Sequence, residues 1–288
     1  MYFPEGYDLE RSIELSELTI QAYAQLAAFL RGNSWKLPDG YTLIRELNFL
    51  MPAGKSTITI SGFIIADLRG IRRAGGGPME AVPMGFIARR KDCVYIIFRG
   101  TITDQEWLQD LRMHLVPFLL PDFGKIHDGF LQSYNLFREQ IRETLEKTDP
   151  GSKLFIAGHS LGAALATIAL PDIGARLKPR RIALYTFGSP RIGDKAFVTA
   201  FNSRYAEVSF RIINTSDMVG LVPPPAPIAG SFGGYFSDVD TAVSFTIQAE
   251  DVAKNHDMKT YLTALREAQS KRGILSGLTN WLIRRRPG

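Results

Sequence analysis

The chain has 288 residues, 45% of them hydrophobic, enough to bury a substantial core in a single domain, and its one cysteine, Cys93, excludes an intramolecular disulfide. The formal charge of +5 is localised: Lys271, Arg272, Arg284, Arg285 and Arg286 account for it, residues 271–288 hold no acidic group, and the other 29 basic residues face 29 acidic ones. A neutral body offers no basic face to nucleic acid, and without an 18-residue apolar run no segment is expected to span a membrane. Met1 to Asp8 show neither the basic start nor the apolar run of a signal peptide, so a cytoplasmic or peripheral-membrane location is expected.

In chain order, residues 10–31 read as an amphipathic helix, with Ile13, Leu15, Leu18, Ile20, Ala22, Leu26 and Leu30 on a partial apolar face. Strand-like runs follow at 42–50 and 57–66, then a loop at Gly75 to Pro78. Met84 to Ile87 and Val94 to Phe98 read as a hairpin around Arg89 to Asp92, with Cys93 a buried strand residue. After Thr101, the pattern Thr103 Asp104 Gln105 Glu106 is a capping box for a short helix whose apolar face is Trp107, Leu108 and Leu111. Val116 to Pro121 stays apolar through a turn.

From residue 128 helices and strands alternate: helix 128–147, strand 153–157, helix 160–177, strand 181–187, helix 194–204 and strand 208–213. A strand-like stretch at 241–248 precedes helices near 256–270 and 273–285. Such alternation predicts a mainly parallel sheet flanked by helices, an α/β architecture, here as a single domain over 1–288.

The richest segment is Leu154 to Ala166, where an apolar strand runs into Gly158 His159 Ser160 Leu161 Gly162 and then into an Ala-rich helix. A serine at a sharp strand-to-helix turn needs small residues two positions before and after it, so that strand and helix can approach, and Gly158 and Gly162 supply them. Ser160 is therefore the candidate nucleophile, at a helix N-terminus suited to an oxyanion.

A serine hydroxyl needs a base, and only His114, His127, His159 and His256 are available. His159 lies inside the turn and points away from the hydroxyl, His127 opens a helix, and His114 follows the segment after Thr101. His256, in the polar stretch Asp251 to Asp257 after the last strand, is the expected base, with a surface helix cap as the plainer alternative. The acid should lie between serine and histidine after a strand, and Asp217, just past Phe210 to Ile213, fits. Asp194 competes, but its context reads as an N-cap; Asp172 and Asp257 read as solvated.

Together these residues resemble the class 3, fungal-type lipase family of α/β-hydrolases over about residues 85–265. The resemblance rests on Val94 to Thr101, Ile126 to Phe130, the turn at Ser160, Tyr185 to Asp194, and Asn214 to Asp217. Gly220 and Val222 stand where the family commonly has proline and leucine, and Ala163 where glycine is frequent. The resemblance implies an α/β-hydrolase fold with a lid helix, and an oxyanion site formed by the backbone amides of Thr101 and Leu161. It also implies that about residues 102–121, with Trp107, Leu108 and Leu111, form the lid over the site; an ordinary surface helix burying Trp107 is the alternative.

The expected activity is hydrolysis of acyl glycerolipid esters by Ser160, His256 and Asp217, with no metal or organic cofactor, by a chain expected to be monomeric. Phospholipase or galactolipase A1 and soluble feruloyl-type esterase activities reuse the same machinery. A lipase-like binding scaffold without turnover is the alternative of another class. The partner is a lipid ester substrate, in a membrane or lipid-droplet surface, and no nucleic acid. In the basic tail, about 273–286, Ile274, Leu275, Leu278, Trp281 and Leu282 recur at helical spacing; the helix either docks on the body or anchors to anionic lipid, docking being slightly preferred.

Overall fold

The computed structural model describes residues 1–52, 57–60, 63–67, 79–101, 114–177, 181–223, 236–239 and 241–284, with the backbone alone at 57–60, 63–67 and 273–284. Helix α1 (Leu9–Leu30) begins where the Asp8 carboxylate accepts the amide of Arg11, and its stripe Leu15, Leu18, Ala22 and Leu26 is buried. Strand β1 (Thr42–Pro52) follows, then a separate antiparallel pair, β2 (Thr57–Ile60) and β3 (Phe63–Asp67), where the sequence suggests one run. Strands β4 (Met79–Arg90) and β5 (Cys93–Phe98) form the expected hairpin, with Lys91 of its turn at φ 54°.

Strands β6 (Leu115–Pro117) and β7 (Lys125–His127) make a second small hairpin leading into α2 (Asp128–Glu146). It fixes residues 115–121, read as the end of the lid, to the body: the Phe118 amide donates to the Gly124 carbonyl, and its ring packs 5.2 Å from Phe123 and from Phe197. Then come β8 (Lys153–His159), α3 (Leu161–Arg176), β9 (Ile182–Phe187), α4 (Lys195–Tyr205), β10 (Ser209–Asn214), β11 (Thr241–Phe245), α5 (Val252–His256) and α6 (Met258–Arg284).

The main sheet has the order β1-β4-β5-β8-β9-β10-β11; β4 runs against its neighbours and β5 to β11 along the sheet are parallel. Both faces are covered, so the strands are continuous apolar runs rather than alternating ones. In β5, Val94, Ile96 and Phe98 join the core under α2, α3 and α4, while Cys93, Tyr95 and Ile97 join the core under α1 and α6. Every parallel strand therefore ends at one edge of the sheet, where such folds gather their functional loops.

Two expectations need correction. The helices predicted at 256–270 and 273–285 are one helix, α6, running through Gly273 and Gly277; a glycine inside a helix costs only about 1 kcal/mol, too little to break it. Asp172, read as solvated, is buried on α3, which is enclosed from Leu161 to Ile173 and so requires any charge to be paired. Arg138 grips it bidentately at 2.8 and 3.0 Å, Tyr134 donates at 2.9 Å, and Arg176 lies at 2.9 Å. Among the described residues no helix is long and apolar enough to cross a membrane.

Candidate active site

Ser160 sits between β8 and α3 with φ 57° and ψ −126°, a conformation that costs a non-glycine residue about 1–3 kcal/mol and is held by what surrounds it. Its amide donates to the Phe187 carbonyl at the end of β9. The glycines are required by contact rather than by dihedral angle: a Cβ on Gly158 would lie 2.1 Å from the Gly162 carbonyl oxygen, and one on Gly162 would lie 2.4 Å from that of Arg99. Gly100 is pressed as closely, since its Cβ would lie 2.8 Å from that of Ser160. Thr101, half-buried, thus leaves β5 beside the serine, and Leu161 opens α3 with the unpaired first-turn amides of a helix.

Asp217, just past β10, and His256, past β11, come together. His256 Nδ1 is 2.6 Å from Asp217 Oδ2, and the same oxygen accepts the Tyr261 hydroxyl at 2.5 Å; Oδ1 accepts the Val219 amide. Gly188 makes room for the pair at φ 56°, and a Cβ there would fall within 3.0 Å of both. His256 is the last residue of the short helix α5 rather than part of a loop, with Nε2 buried and unpartnered among the described residues. Burial and the Asp217 charge raise the Tyr261 phenol well above its usual value, so it remains a donor.

Residues that sequence reading passed over hold this pair in place. Asn214 donates to the carbonyls of Ile247 and Asn255 and accepts the Ile247 amide, tying the end of β10 to the segment that carries His256. Arg191 donates to the carbonyls of Leu221 and Pro223, bracing the turn after Asp217. Asn214 and Arg191 belong to the segments that carried the family resemblance, a signal of position that did not disclose their partners. Tyr261 follows His256 by five residues and carries no signal of its own.

His159 is buried, 4% exposed, with Nδ1 2.7 Å from the Tyr23 hydroxyl and Nε2 2.7 Å from the His256 carbonyl. Desolvation, with the neighbouring His256 second, lowers its pKa well below the usual 6.5. His127 caps α2 by accepting the Gly129 amide, Asp194 caps α4 by accepting that of Phe197, and Asp257 is exposed. His114 is exposed at the start of the β6 segment. Trp107, Leu108 and Leu111 lie outside the described residues. No cluster of three or more His, Cys, Asp or Glu suited to a metal ion occurs among the described residues.

Residues 95–226 match the profile of the family described as Lipase (class 3). A lipase of Rhizomucor miehei is 34% identical over 139 residues, 46% of this chain and 38% of that protein. The phospholipase A1-II 4 of Oryza sativa subsp. japonica is 27% identical over 320 aligned residues, covering 94% of this chain and 78% of that one. The structure of a mutant MDLA from Penicillium cyclopium superposes with a TM-score of 0.60 at 22% identity, covering 84% of this chain and 82% of its own, a likeness of fold. The fold is that of the α/β-hydrolases. The chain spans well under half the length of several of the fungal relatives it matches.

Proposed function

We propose, since the chain belongs through residues 95–226 to the class 3 lipase family, that it hydrolyses carboxylic esters of acyl glycerolipids through an acyl-enzyme. The observation that carries this reading is the 2.6 Å contact of His256 with buried Asp217 at the strand edge that also bears the strained Ser160. In the proposed reaction Ser160 Oγ attacks the ester carbonyl carbon as its proton passes to His256 Nε2, and Asp217 steadies the imidazolium through Nδ1. The amides of Thr101 and Leu161 receive the oxyanion. Collapse expels the alcohol with the proton from His256, and water then releases the acid by the same steps reversed.

Trp107, Leu108 and Leu111 are proposed to form the lid, and the cations after residue 270 to draw the chain to an anionic lipid surface. Phospholipase A1 activity is the second reading, favoured by the rice relative that matches 94% of the chain. The test is hydrolysis of soluble p-nitrophenyl esters and of emulsified tri-, galacto- and phosphoglycerides, by wild type and Ser160→Ala. Loss of about 10⁴-fold or more in kcat on Ser160→Ala, with the fold retained, is expected; near-wild-type turnover would end the assignment, and the preferred emulsion decides between the two lipid readings.

A further inference from the structure

Gly100, whose carbonyl shares a peptide plane with the Thr101 N–H, is held at both its backbone polar groups by side chains that the reaction as described does not use, the half-buried Tyr23 and the buried Arg99. On one side the Gly100 amide donates to the Tyr23 hydroxyl at 2.9 Å. On the other, the Gly100 carbonyl accepts Arg99 Nη1 at 2.6 Å. A trans peptide is planar, so fixing the Gly100 carbonyl fixes the direction of the Thr101 N–H, which points the opposite way. We propose that Tyr23 and Arg99 are positioning residues that aim the Thr101 amide at the oxyanion. The proposal rests on the ester-hydrolase reading given above.

The hydrogen-bond roles follow from the partners. The His256 carbonyl can only accept, so His159 Nε2 carries the proton and Nδ1 is left to accept. The Tyr23 hydroxyl therefore donates to His159 Nδ1 and presents its lone pair to the Gly100 N–H. A neutral His159 satisfies all three contacts at once, and burial keeps it neutral. The chain Gly100, Tyr23, His159, His256 thereby links the oxyanion strand, the residue before the nucleophile and the backbone of the base. Tyr23 comes from α1, outside the segment that matches the family profile.

Arg99 is wholly buried, donates Nε to the Pro83 carbonyl at 2.9 Å, and has no carboxylate within ion-pair distance among the described residues. Desolvation lowers its pKa to about 10. A guanidinium left in that condition spends its hydrogen bonds on two carbonyls, and one of them orients the amide in question. A brace for the fold alone could have been apolar at lower desolvation cost.

Tyr23→Phe keeps the ring and removes the acceptor of the Gly100 amide. With kcat referred to Ser160 sites titrated to completion by a p-nitrophenyl phosphonate, an unfolded fraction does not enter. The expected result on a short soluble ester is a fall of about 10- to 100-fold in kcat, KM within twofold, and a parallel loss of affinity for an aryl boronic acid, whose adduct also places an oxygen in the hole. His159→Gln, which retains an acceptor and a donor, should restore most of the boronate affinity that His159→Ala loses. Unchanged boronate affinity in titrated Tyr23→Phe would overturn the proposal, as would a rise in KM with kcat and boronate unchanged. If wild type itself gave no phosphonate adduct at Ser160, the ester-hydrolase reading would be the one to fail.

Discussion

Asp172 and Asp217 are buried equally, each 3% exposed, and each accepts a hydrogen bond from a tyrosine, yet they are neutralised in different ways. Asp172, on α3, is enclosed by the guanidinium groups of Arg138 and Arg176, cations under all ordinary conditions. Asp217 forms no ion pair with lysine or arginine among the described residues; its titratable partner at 2.6 Å is His256. A carboxylate already matched by permanent cations stabilises the fold whatever happens at the surface. One whose partner gains and loses a proton has its interaction free to strengthen when that proton arrives. The difference separates a structural carboxylate from one suited to an imidazolium, and neither burial nor a tyrosine alone distinguishes them.

The largest expected effect breaks the pair apart by the same isosteric change. Asp217→Asn should lower kcat by about 10⁴-fold, because the amide favours the wrong His256 tautomer and cannot steady its cation, while thermal unfolding moves little. Asp172→Asn should do the reverse. It should destabilise by about 3 kcal/mol, the low end for a broken buried pair because both arginines reach solvent, and leave kcat per titrated site unchanged. Urea unfolding beside ester turnover reads both; a loss of turnover in Asp172→Asn without loss of stability would contradict the division.

What the sequence disclosed follows the same line. Ser160, Asp217 and His256 were legible as positions because the chain order of a nucleophile turn, a post-strand acid and a late histidine is a one-dimensional pattern, and the structure brings Asp217 and His256 into contact. The alternation after residue 128 was legible because buried parallel strands and enclosed helices are written in apolar runs. Asp172 was misread because burial of a charge on an enclosed helix is decided by Arg138, 34 residues away, and local polarity says nothing of it. Tyr23 and Tyr261 were invisible for the same reason: their hydroxyls act across 136 and 44 residues, and each looks from its helix like ordinary apolar packing. The two helices read at 256–270 and 273–285 are one, because nothing at 271–272 breaks the helix and the glycine that follows costs it little.

A smaller effect tests whether His159 belongs with the structural or the titrating groups. Its folded pKa lies well below 6.5, so the unfolded chain binds its proton first. Its contribution is therefore fully present above about pH 6.5 and is lost as pH falls below that value toward the folded pKa, with a slope of at most about 1.4 kcal/mol per pH unit. Among the described residues the groups facing it are Tyr23, His256 and the ring of Tyr261. Chemical denaturation of wild type and His159→Gln between pH 7 and pH 5 should show the wild type losing stability more steeply. Parallel curves would mean that His159 takes up its proton over the same pH range folded and unfolded, which its acceptor role toward Tyr23 does not allow.

The smallest effect concerns Asp194, the aspartate that competes with Asp217 for the role of acid in the sequence. It caps α4: Oδ1 accepts the Phe197 amide at 2.8 Å, and Gly124 is packed so closely that a Cβ there would lie 2.3 Å from that oxygen. Asparagine is as good a cap as aspartate, so Asp194→Asn should change stability by a few tenths of a kcal/mol; Asp194→Ala, which leaves an amide of the first turn without its partner, should cost about 1 kcal/mol. Neither should change kcat, because among the described residues the carboxylate's hydrogen bonds are spent on α4 and none reaches His256. Ester turnover at a temperature well below unfolding, beside the two unfolding curves, separates the effects. An Asp194→Asn chain that folds as wild type but no longer turns over ester would move the acid away from Asp217, and the contrast between a charge bound to arginine and a charge bound to histidine would then no longer mark the site.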